Sequence, residues 1–274
     1  MLRSIKIILI LFIFSLNSES PGQSRPSLQF TGGLAFPGSE FAGDLVTLNE
    51  YGNINISSDF IKSNYAVSTG ASITGTLKFP IVKNGLLSTL ITGSYSYFNA
   101  FRSSSIGTTI ENNISVPVSY DNRFATTSFA IGMQASPFSE SKISPFADAN
   151  LSLNILSLSL SQNDITNVIF SDAVRMGIIT NAGIVFKLNN EYGIVVNGSY
   201  NFSNLFFKNG SDSYSDRVQF YSESIPINDE EGSFYTNLSD PGLPPLQVAG
   251  TRKNVNWWSI NLGLNIVLGK SENK

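Results

Sequence analysis

The stretch from Asn254 to Leu268 carries one sequence on its even positions and another on its odd ones. The even positions from 256 read Asn256, Trp258, Ile260, Leu262, Leu264, Ile266 and Leu268; the odd ones read Trp257, Ser259, Asn261, Gly263, Asn265 and Val267. Successive side chains of a strand point to opposite faces, so this segment predicts a strand with one oily and one small polar face. Ser, Asn and Gly stand where a strand facing open water would carry Lys and Glu. Lipid on one side and a packed polar lumen on the other account for both faces.

Seven earlier segments alternate in the same way: Leu28–Phe36, Tyr65–Ile81, Leu86–Phe98, Phe124–Ser136, Ile143–Leu160, Arg175–Leu188 and Ile194–Phe202. In the fifth, the apolar residues Leu151, Leu153 and Ile155 are odd, and then Leu156, Leu158 and Leu160 are even. A one-residue slip moves every side chain to the other face, so this change of phase predicts a bulge near Ile155–Leu156.

The connectors alternate in length. Short ones lie at Val82–Gly85, where Asn84-Gly85 signals a hairpin, at Pro137–Lys142 and at Asn189–Tyr192. The long ones are 37–64, 99–123, 161–174 and 203–253. The pattern predicts an all-β fold: an eight-stranded antiparallel up-and-down transmembrane β-barrel, with short periplasmic turns and long extracellular loops.

Aromatic residues gather near the strand ends. Phe79, Phe138, Phe146, Phe186 and Tyr192 lie toward the short turns; Phe36, Tyr65, Tyr95, Tyr97, Phe124, Tyr200, Phe202 and Trp258 lie toward the long loops. Rings favour the membrane–water interface, so these predict two girdles, represented by Tyr65, Phe79, Tyr95, Phe138, Phe186, Tyr200 and Trp258.

Composition agrees. Charged residues are 14% of the 274, against ~25% in ordinary soluble chains. No apolar run approaches the ~20 residues of a spanning helix. The formal charge of -3 gives no basic footprint for nucleic acid. At the N-terminus, Arg3 and Lys6 precede the apolar run Ile7–Leu16, and Ser18, Ser20 and Gly22 follow it. This predicts a secretory signal over residues 1–22, cut near Gly22–Gln23, then a barrel over 23–270 and a periplasmic tail over 271–274.

With this patterning the chain resembles the small outer-membrane β-barrel family, the eight-stranded OmpA/OmpX-like barrels, over Leu28 to Leu268. The resemblance is architectural and rests on no diagnostic motif. It implies insertion in a Gram-negative-type outer membrane, contact with the lipid bilayer and its lipopolysaccharide-type outer leaflet, and delivery by the barrel-assembly machinery. One departure is that Asn265-Ile266-Val267-Leu268 leads into Gly269–Lys274, where many members of the family end in an aromatic residue.

The candidate chemistry is thin. With no Cys there are no disulfides, no thiolate nucleophile and no lipid-modified N-terminal cysteine. With no His, the commonest general base and transition-metal ligand is missing. The Ser-rich strands then lack the usual base that would activate a nucleophile, and read as lumen filler. No catalytic residue and no cofactor is expected. The lumen charges Lys78, Asp148, Arg175 and Lys187 are expected to pair or hydrate as part of a structural plug, because an unpaired buried charge is costly.

In the loop 203–253, Arg217 to Ile227 alternates weakly and is expected to pair with Ser233–Leu238 as a hairpin above the membrane. Asp229-Glu230-Glu231 offers oxygen ligands for Ca²⁺ but lacks the spaced ladder of a dedicated site, so it reads as a solvated acidic turn. Arg217, Asp229, Glu230 and Glu231 are the extracellular-loop candidates for binding a surface protein or glycan. The reading is a non-enzymatic outer-membrane protein with an envelope-structural or adhesion-like role. The alternatives are a narrow, porin-like path for small solutes or apolar ligands, and a soluble secreted barrel that carries a ligand inside.

Overall fold

The computed structural model describes residues 25–38, 41, 45–48, 54–57, 67–82, 85–98, 105–111, 114–139, 141–162, 165–208, 225–227, 229–230 and 253–269. Eight strands form the barrel: β1 (Ser27–Pro37), β2 (Gly70–Pro80), β3 (Leu87–Phe98), β4 (Ile114–Ala135), β5 (Ile143–Gln162), β6 (Ala173–Lys187), β7 (Tyr192–Phe206) and β8 (Asn256–Val267). Each pairs antiparallel with its neighbours in sequence, and β1 pairs with β8 from Ser27↔Val267 to Pro37↔Trp257, so the sheet closes. A closed ring leaves no unpaired edge, the condition for a sheet in contact with lipid.

The two rims differ as the connector lengths predict. At the short rim, Gly85 adopts a positive φ of 62° and its N–H donates to the Val82 carbonyl at 3.0 Å. A residue with a Cβ is strained in that backbone conformation. In the next turn but one, the Asn189 side-chain oxygen accepts the N–H groups of Glu191 and Tyr192, both at 2.8 Å. This is the local side-chain-to-backbone bonding that favours Asn in turns.

At the other rim the long connections hold more strand than the sequence suggested. Ser105–Glu111 pairs with Ile114–Tyr120, and Ile165–Ser171 pairs with the end of β5. The strand expected to start at Phe124 therefore starts at Ile114, across Pro117 and the polar run Asp121-Asn122-Arg123. In the sequence a proline and a polar run signal a break, but the backbone pairs continuously through them. Leu45–Leu48 and Ile54–Ser57 form a separate two-stranded pair. Of the hairpin expected between 217–227 and 233–238, most lies outside the described residues. Ile225–Pro226 is described, and pairs in parallel with Phe170–Ser171.

The faces fall as the alternation predicts. Phe30, Ile73, Phe129, Leu151, Ile260, Leu262 and Leu264 are exposed on the outside, while Thr31, Ser72, Ser128, Asn150, Ser259 and Asn261 are buried inside. The bulge expected at Ile155–Leu156 is absent. The β4–β5 register runs unbroken from Ala135↔Ala147 to Tyr120↔Gln162. Leu156 and Leu158 stay on the lumen face and are buried there. What changes at Leu156 is the content of the lumen, which turns from polar to apolar.

A bulge does occur, in β7. Between Ile178↔Phe202 and Met176↔Phe206, β6 advances two residues while β7 advances four. Ser203 and Asn204 are consequently buried side by side. Bulges re-aim side chains in this way.

Candidate functional site

The lumen has three zones. At its middle, polar side chains bond to one another across strands. Ser72 donates to Asn261 at 2.9 Å, Thr76 meets Thr92 at 3.2 Å, and Ser199 meets Ser259 at 2.5 Å. Asn154 donates to Ser152 at 3.0 Å and, reaching past Gly177, to the Ser203 carbonyl at 2.6 Å. Asp148 accepts from the amides of Asn150 and Asn181, each at 2.6 Å. These contacts fill a narrow barrel with side chains, the usual state of an eight-stranded lumen.

The long-loop mouth is closed by an apolar cluster. Ala35, Phe98, Phe124, Leu156, Leu158, Ala173 and Trp257 come from six strands around the ring, and Phe41, Val67, Ile227 and Val255 join them from the connections. The Phe41 ring lies 5.0 Å from Phe98 and 4.7 Å from Phe124, and Phe98 lies 5.3 Å from Trp257. Edge-to-face rings at these distances are favourable pairs. The contacts cross the mouth from wall to wall. Phe124 thus belongs to the plug and not to the outer girdle in which its position along the strand suggested it.

A polar latch holds part of this plug. The Arg175 guanidinium donates to both carboxylate oxygens of Asp229, at 2.7 to 3.1 Å, and to the Ile227 carbonyl at 3.1 Å. Asn204, turned inward by the bulge, donates to Asp229 at 2.8 Å and to the Lys253 carbonyl at 2.8 Å, and accepts the Val255 N–H at 2.8 Å. Asp229 is fully buried, so the expectation of a solvated acidic turn fails for it. Its charge is committed to Arg175, which the sequence placed in the lumen without a partner. A bidentate Arg–carboxylate pair with every oxygen bonded is the form in which a buried ion pair is tolerated. Glu230 sits beside it, half-buried. Arg217 and Glu231 lie outside the described residues.

The short-turn mouth is different. A cavity of about 440 Å³ lies there, with Arg25, Lys78 and Lys187 in its wall. Lys78 is buried, with its ammonium 4.8 Å from the centre of the Phe146 ring, a cation–π contact. Phe146 is therefore a lumen residue, packed with Val185 and Val195, and not a girdle residue. Lys187 donates to the Ser139 carbonyl.

Of the expected girdle, Phe186, Tyr95, Tyr200 and Trp258 are exposed on the outer face, Phe138 is exposed in a short turn, and Phe79 is half-buried. Trp258 stacks on Phe36 at 4.2 Å. Tyr65 lies outside the described residues. The sequence missed Asn204, although the order Phe202-Ser203-Asn204-Leu205-Phe206, with paired polar and paired apolar residues, marks the bulge.

No protein-family model and no curated protein matches the chain. Among solved structures it is similar to Neisserial surface protein A, with 14% identity over 90% of this chain and 99% of that one, at a TM-score of 0.45. It is also similar to OprG from Pseudomonas aeruginosa, with 8% identity over 91% and 99% and a TM-score of 0.41. Ail, the attachment invasion locus protein of Yersinia pestis, gives 10% identity over 88% and 99% and a TM-score of 0.36. The strand pairings themselves establish a closed, eight-stranded antiparallel β-barrel.

Proposed function

We propose that the chain is a non-enzymatic outer-membrane barrel, exported by its N-terminal signal, whose role is envelope-structural with its long loops as a binding surface. The observation that carries this reading is the pair of faces on one closed sheet. The outside is apolar along its strands, and the inside is a filled polar lumen capped by the apolar plug at the long-loop mouth. That arrangement suits lipid outside and suits a scaffold better than a conduit. A soluble ligand carrier would have the opposite faces, apolar within and wet without.

The bilayer with its lipopolysaccharide-type outer leaflet and the barrel-assembly machinery are the partners this reading requires. A surface protein or glycan is the class it expects at the long loops. The narrow pore is the second reading, and the apolar plug counts against it.

The test is gel mobility of the mature protein folded in detergent, unheated and boiled in SDS. The reading expects a compact species that shifts to the unfolded position only on boiling. A detergent-independent soluble species with no shift would sink it.

A further inference from the structure

The cavity at the short-turn mouth has the composition of a ligand site. Among the described residues three cations line it, Arg25, Lys78 and Lys187, and no carboxylate does. Two of them are fixed by backbone oxygens. Arg25 donates to the carbonyls of Gly269 at 2.6 Å and Asn190 at 3.1 Å, and Lys187 donates to that of Ser139. Carbonyls orient these groups without cancelling their charge.

Lys78 is the decisive group. It is only 6% exposed and lines the cavity wall, and among the described residues no hydrogen bond or ion pair involves it. An ammonium carries three donors. The face of Phe146 takes one side of it, and the remaining donors meet no acceptor among the described residues. The lumen carboxylate Asp148 holds the amides of Asn150 and Asn181 and forms no ion pair with the lysine. Glu191 belongs to the turn at the rim but does not line the cavity. A buried cation is costly unless it is paired, and in a space partly screened from water an anion would meet it strongly.

We infer that this cavity binds a small oxyanion, a phosphate or carboxylate group, that enters from the short-turn side. Lys78 is its principal ligand, with Lys187 and Arg25 at the rim. Hydroxyls in the wall, from Ser88, Ser136 and Ser144, supply neutral donors beside the charges. The volume suits one small ester or a dicarboxylate. The site is independent of the plug, which lies at the opposite mouth.

The experiment is calorimetric titration of the full-length mature protein, folded in zwitterionic detergent, with inorganic phosphate and separately with succinate at constant ionic strength. Saturable binding of at least one anion is expected, weakened about tenfold or more in Lys78→Gln. Lys142→Gln removes the same charge from the same rim, but Lys142 does not line the cavity, and this variant should bind as the parent does. Phosphate without succinate would point to a phosphate ester as the natural ligand; succinate without phosphate would point to a carboxylate.

Retention of the heat-dependent gel shift certifies that each variant folds. On the unmutated protein with isotopically methylated lysines, saturable movement of the Lys78 resonance gives the same answer without substitution. No saturable binding of either anion, or equal loss in Lys78→Gln and Lys142→Gln, would overturn the inference.

Discussion

Arg175 and Asp229 lie 54 residues apart in the chain and meet at 2.7 Å inside the long-loop mouth, both cut off from solvent. The pair ties a connection to the barrel wall at the level of the apolar plug. Removing one partner leaves the other charge buried and unpaired, at a cost of ~3–5 kcal/mol, whereas replacing both by apolar groups is often neutral. Asp229→Asn should therefore lower the urea midpoint of the folded barrel clearly, and Arg175→Met with Asp229→Leu should recover most of that loss. Equal destabilisation in the single and double variants would mean that the pair is not the latch described.

The plug should be what keeps the lumen closed. Trp257 is buried against Phe98, at 5.3 Å between ring centres. Truncating a buried Trp or Phe costs ~3–5 kcal/mol, so the variants must first pass the gel-shift test for folding. Planar-bilayer recordings should find the parent silent. Trp257→Ala with Phe98→Ala should show small, reproducible steps. A parent that conducts like the double variant would favour the pore.

Gly177 occupies a place where a side chain has no room. A Cβ there would stand 2.0 Å from the Phe202 carbonyl oxygen and 2.9 Å from the Asn154 amide nitrogen. The absent Cβ lets Asn154 reach past β6 to the bulge in β7. Gly177→Ala should destabilise the barrel by ~1–3 kcal/mol through overpacking. Gly198→Ala, where the nearest atom is 3.8 Å away, should be nearly silent. Urea unfolding followed by gel mobility compares the two, and similar midpoints would contradict the packing described.

Leu262 is 62% exposed on the outer face of β8. Under the membrane reading, a charge near the bilayer midplane there costs ~2–4 kcal/mol. Leu262→Arg should fold in detergent but show a lower unfolding midpoint in phospholipid bilayers. An unchanged midpoint in bilayers would remove Leu262 from the lipid-facing set.

Much of the fold was legible because a strand of a narrow barrel writes both faces into the sequence. Ile260 and Asn261 differ in kind because one faces out and the other in. The same logic failed where the lumen itself became apolar. Leu156 and Leu158 read as a slip of register, because period-two reasoning fixes which residues share a face but not what that face meets. Phe124 and Phe146 were misplaced for the same reason, since a ring near a strand end suits either an interface or a plug. The Arg175–Asp229 pair was not legible at all. Its two halves lie on a strand and a distant connection, and only the closed ring and the inward turn of Asn204 bring them together.

The chain contains no cysteine, so single cysteines can be placed along β8 without background. Each position from 258 to 266 would carry an environment-sensitive fluorophore, in protein folded into vesicles with and without brominated lipid. The central claim predicts quenching by brominated lipid at the even positions Trp258, Ile260, Leu262, Leu264 and Ile266, and none at Ser259, Asn261, Gly263 and Asn265. Quenching without alternation, quenching at the odd positions, or no quenching anywhere would contradict a membrane barrel with lipid on one face and a filled lumen on the other.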